Sequence, residues 1–136
     1  MKTRTTPSIL IALLLAFLAL GATKAQAIII HDLPVGITFG QTARVTAANT
    51  GTTSIILDYT FLDGEGAVLA QLVGQVIDPG KMLSFDLNAD DVVREGERIQ
   101  IRVVISADSS RGLLTSTEVF ENDTGKTTVF IGDPGL

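Results

Sequence analysis

Arg98-Ile99-Gln100-Ile101-Arg102-Val103-Val104-Ile105-Ser106-Ala107 is the stretch whose reading decides the fold. Successive side chains of an extended chain point to opposite faces, so Ile99, Ile101, Val103 and Ile105 share one side while Arg98, Gln100, Arg102 and Ser106 share the other. Helical spacing would scatter the same residues around the whole circumference. The stretch predicts a strand with one dry and one wet face.

The same alternation recurs on either side of it. Ser54 to Leu62 places Ile55, Leu57, Tyr59 and Phe61 inward and Asp58 and Thr60 outward. Asp63-Gly64-Glu65-Gly66 then predicts a turn, and Ala67 to Ile77 returns as the second arm of a hairpin. Asp78-Pro79-Gly80 has the chemistry of a type II turn, since Pro presets the first central dihedral and Gly accepts the positive one that follows. Lys81 to Leu87 carries Leu83, Phe85 and Leu87 on one side. Val35 to Phe39 and Gln41 to Asn49 read as two earlier strands, and Leu113 to Glu121 and Thr127 to Ile131 as a second hairpin around Asn122-Asp123-Thr124-Gly125. Asp90 to Gly96 lacks alternation and is expected to hold a helical turn where the chain changes sheets. Seven or eight short strands in about 100 residues predict an all-β fold, an antiparallel two-sheet sandwich of immunoglobulin-like type. A small closed barrel is the runner-up.

The first 27 residues have a different composition. Lys2 and Arg4 form a positive start, Ile9 to Leu20 is an unbroken apolar run, and Ala25-Gln26-Ala27 has the form of a leader-peptidase site. The run is shorter than the roughly 20 residues a spanning helix needs, so a cleaved signal peptide is expected rather than an uncleaved anchor. The mature chain then begins at Ile28, and residues 28–136 form a single sandwich domain, secreted or periplasmic. Neither a sorting motif nor an apolar tail follows Ile131. Three of the ten Lys and Arg residues lie in the leader and none of the fifteen acids does, which leaves seven against fifteen, a net charge of −8 for the mature chain. Such a surface lacks the basic footprint on which nucleic-acid affinity rests and repels anionic membranes, so neither is expected as a partner. The chain has no cysteine. That removes disulfides, lipid attachment of the bacterial lipoprotein type, thiol redox chemistry and Cys-ligated metals.

Gly40-x-x-Ala43-Arg44-Val45 running to Asn49, Phe61-Leu62-Asp63-x-Glu65-Gly66, Pro79-Gly80-Lys81 with Leu83 and Phe85, and Arg98-Ile99-Gln100-Ile101-Arg102-Val103 together resemble small secreted bacterial immunoglobulin-like domains of uncharacterised function. The resemblance covers most of the mature chain and implies an architecture without catalytic residues. The Cys, Trp, Cys core of antibody-type domains is missing, so the kinship is architectural and does not carry function.

Several groups are candidates for chemistry. Asp86, Asn88, Asp90 and Glu97 occupy positions 1, 3, 5 and 12 of a calcium-loop pattern, with apolar Val93 at position 8. Asp91 stands where that loop requires Gly, and the segment before it is a strand rather than a helix. His31 is the only histidine; its neighbour Asp32 points to the opposite face of an extended chain, and no G-x-S-x-G turn supplies a nucleophile. Asp63, Glu65, Asp78, Asp108 and Asp123 lie in turns, which disfavours a paired-carboxylate glycosidase; Glu118 lies mid-strand but alone. Tyr59, Phe61 and Phe85 fall on apolar faces, which leaves few rings for a sugar platform and disfavours a lectin. Asn122-Asp123-Thr124 has the form of a glycosylation sequon by chance.

The function expected is that of a non-enzymatic binding or structural module, acting on a protein partner through its surface or an edge strand. Ile28, Ile29 and Ile30, unusually apolar for a chain start, are the candidate partner-binding residues. A calcium-dependent binding module, with Ca²⁺ held by the Asp86 to Glu97 loop, and a small hydrolase are the alternatives.

Overall fold

The computed structural model describes residues 27–132; the segment expected to be a leader, except Ala27, and the last four residues lie outside them. The chain forms nine strands: β1 (Ile28–His31), β2 (Val35–Thr38), β3 (Gln41–Asn49), β4 (Ile55–Asp63), β5 (Val68–Ile77), β6 (Met82–Asn88), β7 (Arg98–Ala107), β8 (Leu113–Glu121) and β9 (Thr127–Gly132). A single 3₁₀ turn, Ala89–Asp91, separates β6 from β7. The count exceeds the expected seven or eight because Ile28–His31 forms a strand of its own.

All pairings are antiparallel and fall into two sheets, one ordered β1-β7-β4-β5 with β2 also on β7, the other β6-β3-β8-β9. Two separate sheets make this a sandwich and not a closed barrel. β1 pairs with the Val104 to Ala107 half of β7 and β2 with the Arg98 to Ile101 half. They form one edge interrupted at Asp32-Leu33-Pro34, where proline supplies no ladder donor. The central pairs, β3 with β6 and β4 with β7, are those of an immunoglobulin-type sandwich. The flanking strands have exchanged places: the N-terminal strands lie on β7, and β8 lies on β3.

The alternation read from the sequence sets the core. Ile101, Val103, Ile105 and Ala107 of β7 are buried with Ile55, Leu57, Tyr59 and Phe61 of β4, and they meet Ala43, Val45 and Ala47 of β3 and Val119 of β8 from the other sheet. Phe85 of β6 packs its ring 6.1 Å from Tyr59 and 5.5 Å from Phe61. Each of these side chains removes apolar surface from water at about 25 cal/mol per Å², and without crosslinks this burial carries the fold. The expected turns form. Lys81 N–H donates to Asp78 C=O across Pro79-Gly80, with Gly80 at φ +74°, and Asp63 accepts from the Glu65 and Ala67 amides. The 3₁₀ turn begins one residue before the stretch expected to hold it. It carries the chain from one sheet to the other, with Asn88 capping it through the Asp90 amide.

Candidate functional site

The two layers leave four strand edges, and these differ in how they are protected. β5 and β6 border one side. There β5 is broken by a bulge between the Leu57 and Tyr59 pairs, where Gly74 takes φ +68° and donates its N–H to Asp58 Oδ1 at 2.7 Å. A bulge twists an edge away from an incoming strand. On β6 the Leu83 carbonyl accepts from the buried Tyr59 hydroxyl at 2.8 Å. Burial pushes that phenol up to about 12.

β1–β2 and β9 border the other side. Their proximity is fixed by Thr117 of β8, whose hydroxyl donates to Asp32 between β1 and β2. A depression of about 250 Å³, lined by Gly36, Ile37 and Thr38 of one edge and Thr128 and Val129 of the other, also spans the gap. β9 reads Thr127-Thr128-Val129-Phe130-Ile131-Gly132, uncharged and without proline. After an irregularity at its start it pairs regularly with β8: Val129 with Val119, Phe130 with Glu118, Ile131 with Thr117, Gly132 with Ser116. Phe130 is 67% exposed. Among the described residues nothing pairs with the outer edge of β9 or of β1.

Ile28, Ile29 and Ile30 pair with Ala107, Ser106 and Ile105. Ile30 packs on the core, whereas Ile29 is 59% exposed on the outer face. These candidate partner-binding residues thus form a docked strand, with its far edge open among the described residues.

The four calcium-loop residues have separate engagements. Asp86 grips Arg44 through two bonds of 2.8 and 2.7 Å. Asn88 accepts from the Asp90 amide, and Asp90 Oδ1 accepts from the Gly40 amide at 2.6 Å. Asn122 Nδ2 reaches Asn88 and Asp90 together, at 3.1 and 3.4 Å, while its own oxygen accepts from Thr42. Glu97 accepts from the Arg94 amide. Asn88 and Asp90 are brought together around Asn122, but no group of three or more His, Asp or Glu residues poised for a metal occurs among the described residues.

His31 is exposed at the end of β1 while Asp32 turns to Thr117, so the adjacent pair diverges. Glu118 lies beside Arg44, 4.0 Å from its Nη1. A further open depression of about 310 Å³ is lined by Pro34, Asp63, Glu65, Gln100 and Arg102 among others. Its Asp63 carboxylate is occupied with the turn amides.

Two rings escaped the sequence reading. Phe120 lies under the Arg44 guanidinium, 5.0 Å from ring centre to Cζ, and Phe130 projects from the same outer face. Asp86, Arg44, Glu118 and Phe130 therefore form one cross-strand row. The hydrogen bonds that Arg44 donates to Asp86 raise its pKa above the ordinary value, aided by the Asp86 and Glu118 charges. The signal for Phe130 was present: in Thr127 to Ile131, Val129 and Ile131 share one phase, and phenylalanine occupies the other. No helix among the described residues is long and apolar enough to cross a membrane. Comparison with protein-family models, curated proteins and solved structures finds no match to this chain.

Proposed function

We propose that this chain is an exported immunoglobulin-like sandwich, secreted or periplasmic, that serves as a non-enzymatic recognition or structural module and takes a protein partner by strand addition. The observation that carries the reading is the asymmetry of the edges. One side of the sandwich is bulged and internally capped at Gly74 and Leu83. The other offers β1 and β9, both uncharged apart from His31 at the end of β1 and both with exposed apolar side chains. Natural sheets generally blunt their edges, so two open ones on a single side have a use. An incoming strand gains backbone hydrogen bonds from the edge and selectivity from alternate side chains.

The test is recovery of partners from the cell envelope by wild type, Ile29→Lys, Phe130→Lys and, on the protected side, Val73→Lys. All three replaced residues are well exposed, so folding should survive. Loss with the first two and retention with the third is expected; equal recovery by all four would remove strand addition. Export is tested separately by sequencing the N-terminus of the released protein, expected to begin at Ile28.

A further inference from the structure

We infer that the strand added to β9 is β9 of a second copy of this chain, paired antiparallel about a two-fold axis at Phe130. The inference rests on the edge-strand reading above and names its partner.

Directly opposed residues of an antiparallel pair share a face, so only certain registers keep both sheets' faces consistent. With Phe130 opposite the Phe130 of the other copy, Val129 meets the other copy's Ile131. Val129 and Ile131 both lie on the core-facing side, since they pair with Val119 and Thr117 of β8, whereas Phe130 lies with Glu118 on the outer side. The register is therefore apolar against apolar on one face and ring against ring on the other. Shifting it by one residue sets Val129 against Phe130 and turns the core-facing side chains outward.

Electrostatics favour the same partner. A mature chain of net charge −8, counted from Ile28, resists approach by its own copy wherever acids meet. β9 contains none. Lys126, just before it, carries the charge opposite to the acids that dominate the chain. The nearest carboxylate on that face, Glu118, is already beside Arg44 and accepts from the Thr127 hydroxyl. β1 is the poorer partner, because it has four residues and its edge is interrupted at Pro34. An isologous β9 contact joins two four-stranded sheets into one of eight and closes on itself, whereas β9 against β1 is heterologous and propagates.

Because the chain has no cysteine, single cysteines report the contact without interference. The exported product is weighed by sedimentation across a concentration series, and Phe130→Cys, Ile29→Cys and Val73→Cys are oxidised mildly. The expected result is a mass of two copies, and at least tenfold faster crosslinking of Phe130→Cys to a covalent dimer than of either other variant. Phe130→Lys, which alters an exposed side chain, should be monomeric with an unchanged circular-dichroism spectrum. Monomer at every concentration with no preferential crosslinking overturns the inference, as does a dimer that survives Phe130→Lys. A mixed disulfide between Phe130→Cys and Ile29→Cys chains, with masses beyond two copies, also overturns it in favour of an open chain. If the protein is monomeric yet Phe130→Lys still loses an envelope partner, strand addition stands and only the second copy falls.

Discussion

The Tyr59 hydroxyl donates to the Leu83 carbonyl at 2.8 Å, which ties the centre of one sheet to the edge strand of the other. Tyr59 is fully buried, and loss of solvent raises its phenol from an ordinary 10.0 to about 12. The folded value lies above the unfolded one. The neutral phenol's contribution is thus complete below pH 10 and is lost as pH rises towards 12, on the order of 2–3 kcal/mol. Tyr59→Phe should cost about 1 kcal/mol at neutral pH, the net worth of the bond, and should remove this share of the alkaline loss. Tyr59 is the only tyrosine. Phenolate absorbance should accordingly titrate near 12 in the native protein and near 10 in urea, and a native midpoint at 10 would refute its burial.

Gly112 separates two ways in which a glycine matters. It takes φ +75°, and a Cβ there would lie 2.5 Å from Gly51 N and 2.7 Å from Gly51 Cα, both backbone atoms that cannot swing aside. Its carbonyl also accepts from the Thr50 amide and hydroxyl, which joins the β3–β4 and β7–β8 connections. Gly80 has the same backbone sign, φ +74°, with nothing within 4 Å of a Cβ. Gly80→Ala should therefore lose only the left-handed penalty, about 1–2 kcal/mol. Gly112→Ala should lose about 3–5 kcal/mol, because displaced backbone is added to the penalty. Equal urea midpoints for the two variants would contradict the close approach.

Local alternation revealed which face of each strand is dry; for β4 that was sufficient to name the buried residues, and for β7 it named Ile101, Val103 and Ile105 while Ile99 is only half-buried and Ala107 went unnamed. It did not reveal neighbours. The pairing of β8 with β3 rather than β7 joins segments some 70 residues apart, and nothing local to either encodes it. The edge status of β9 depends wholly on that order, so its importance was hidden although Phe130 sat visibly out of phase. Ile28 to Ile30 could be singled out because three consecutive isoleucines beside an Ala-Gln-Ala stretch are conspicuous without any partner. The spacing of Asp86, Asn88, Asp90 and Glu97 matched a loop that must be framed by helices. On a strand followed by a 3₁₀ turn, the same spacing sends Asp86 to Arg44 and Glu97 to the Arg94 amide.

Asn49 ends β3 with 1% of its surface exposed. Its Nδ2 donates to the Thr53 and Ile77 carbonyls at 2.8 Å each, and its Oδ1 accepts from the Gly51 amide at 2.9 Å. Asn49→Asp keeps the shape but sets an acceptor against two carbonyls, and should cost about 3–5 kcal/mol at neutral pH. Burial and the facing carbonyls raise the new carboxyl's folded-state pKa above its unfolded value. The protonated form, which restores one donor, then favours the fold, and the deficit against wild type should shrink as pH falls. Urea melts at neutral and acid pH measure it, and a deficit that does not shrink on acidification would remove the donor argument.

Thr115 and Thr117 alternate on the core-facing side of β8 and are both buried, yet only one has a use for its hydroxyl. Thr117 donates to Asp32 and anchors the interruption between β1 and β2. Among the described residues the Thr115 hydroxyl has no hydrogen-bond partner. A buried donor without an acceptor costs about 1–3 kcal/mol, so replacing it with a methyl of similar shape removes a penalty rather than a bond. Thr115→Val should stabilise the domain by about 1 kcal/mol, whereas Thr117→Val, the same change two residues on, should destabilise it by about 1.5–3 kcal/mol because its partner is a carboxylate. Thermal unfolding of the two variants side by side reads the difference as shifts of opposite sign. Two stabilising shifts would mean that the Asp32 bond adds nothing and that β1 and β2 are held to β7 by their ladder alone, whereas two destabilising shifts would mean that the Thr115 hydroxyl is satisfied.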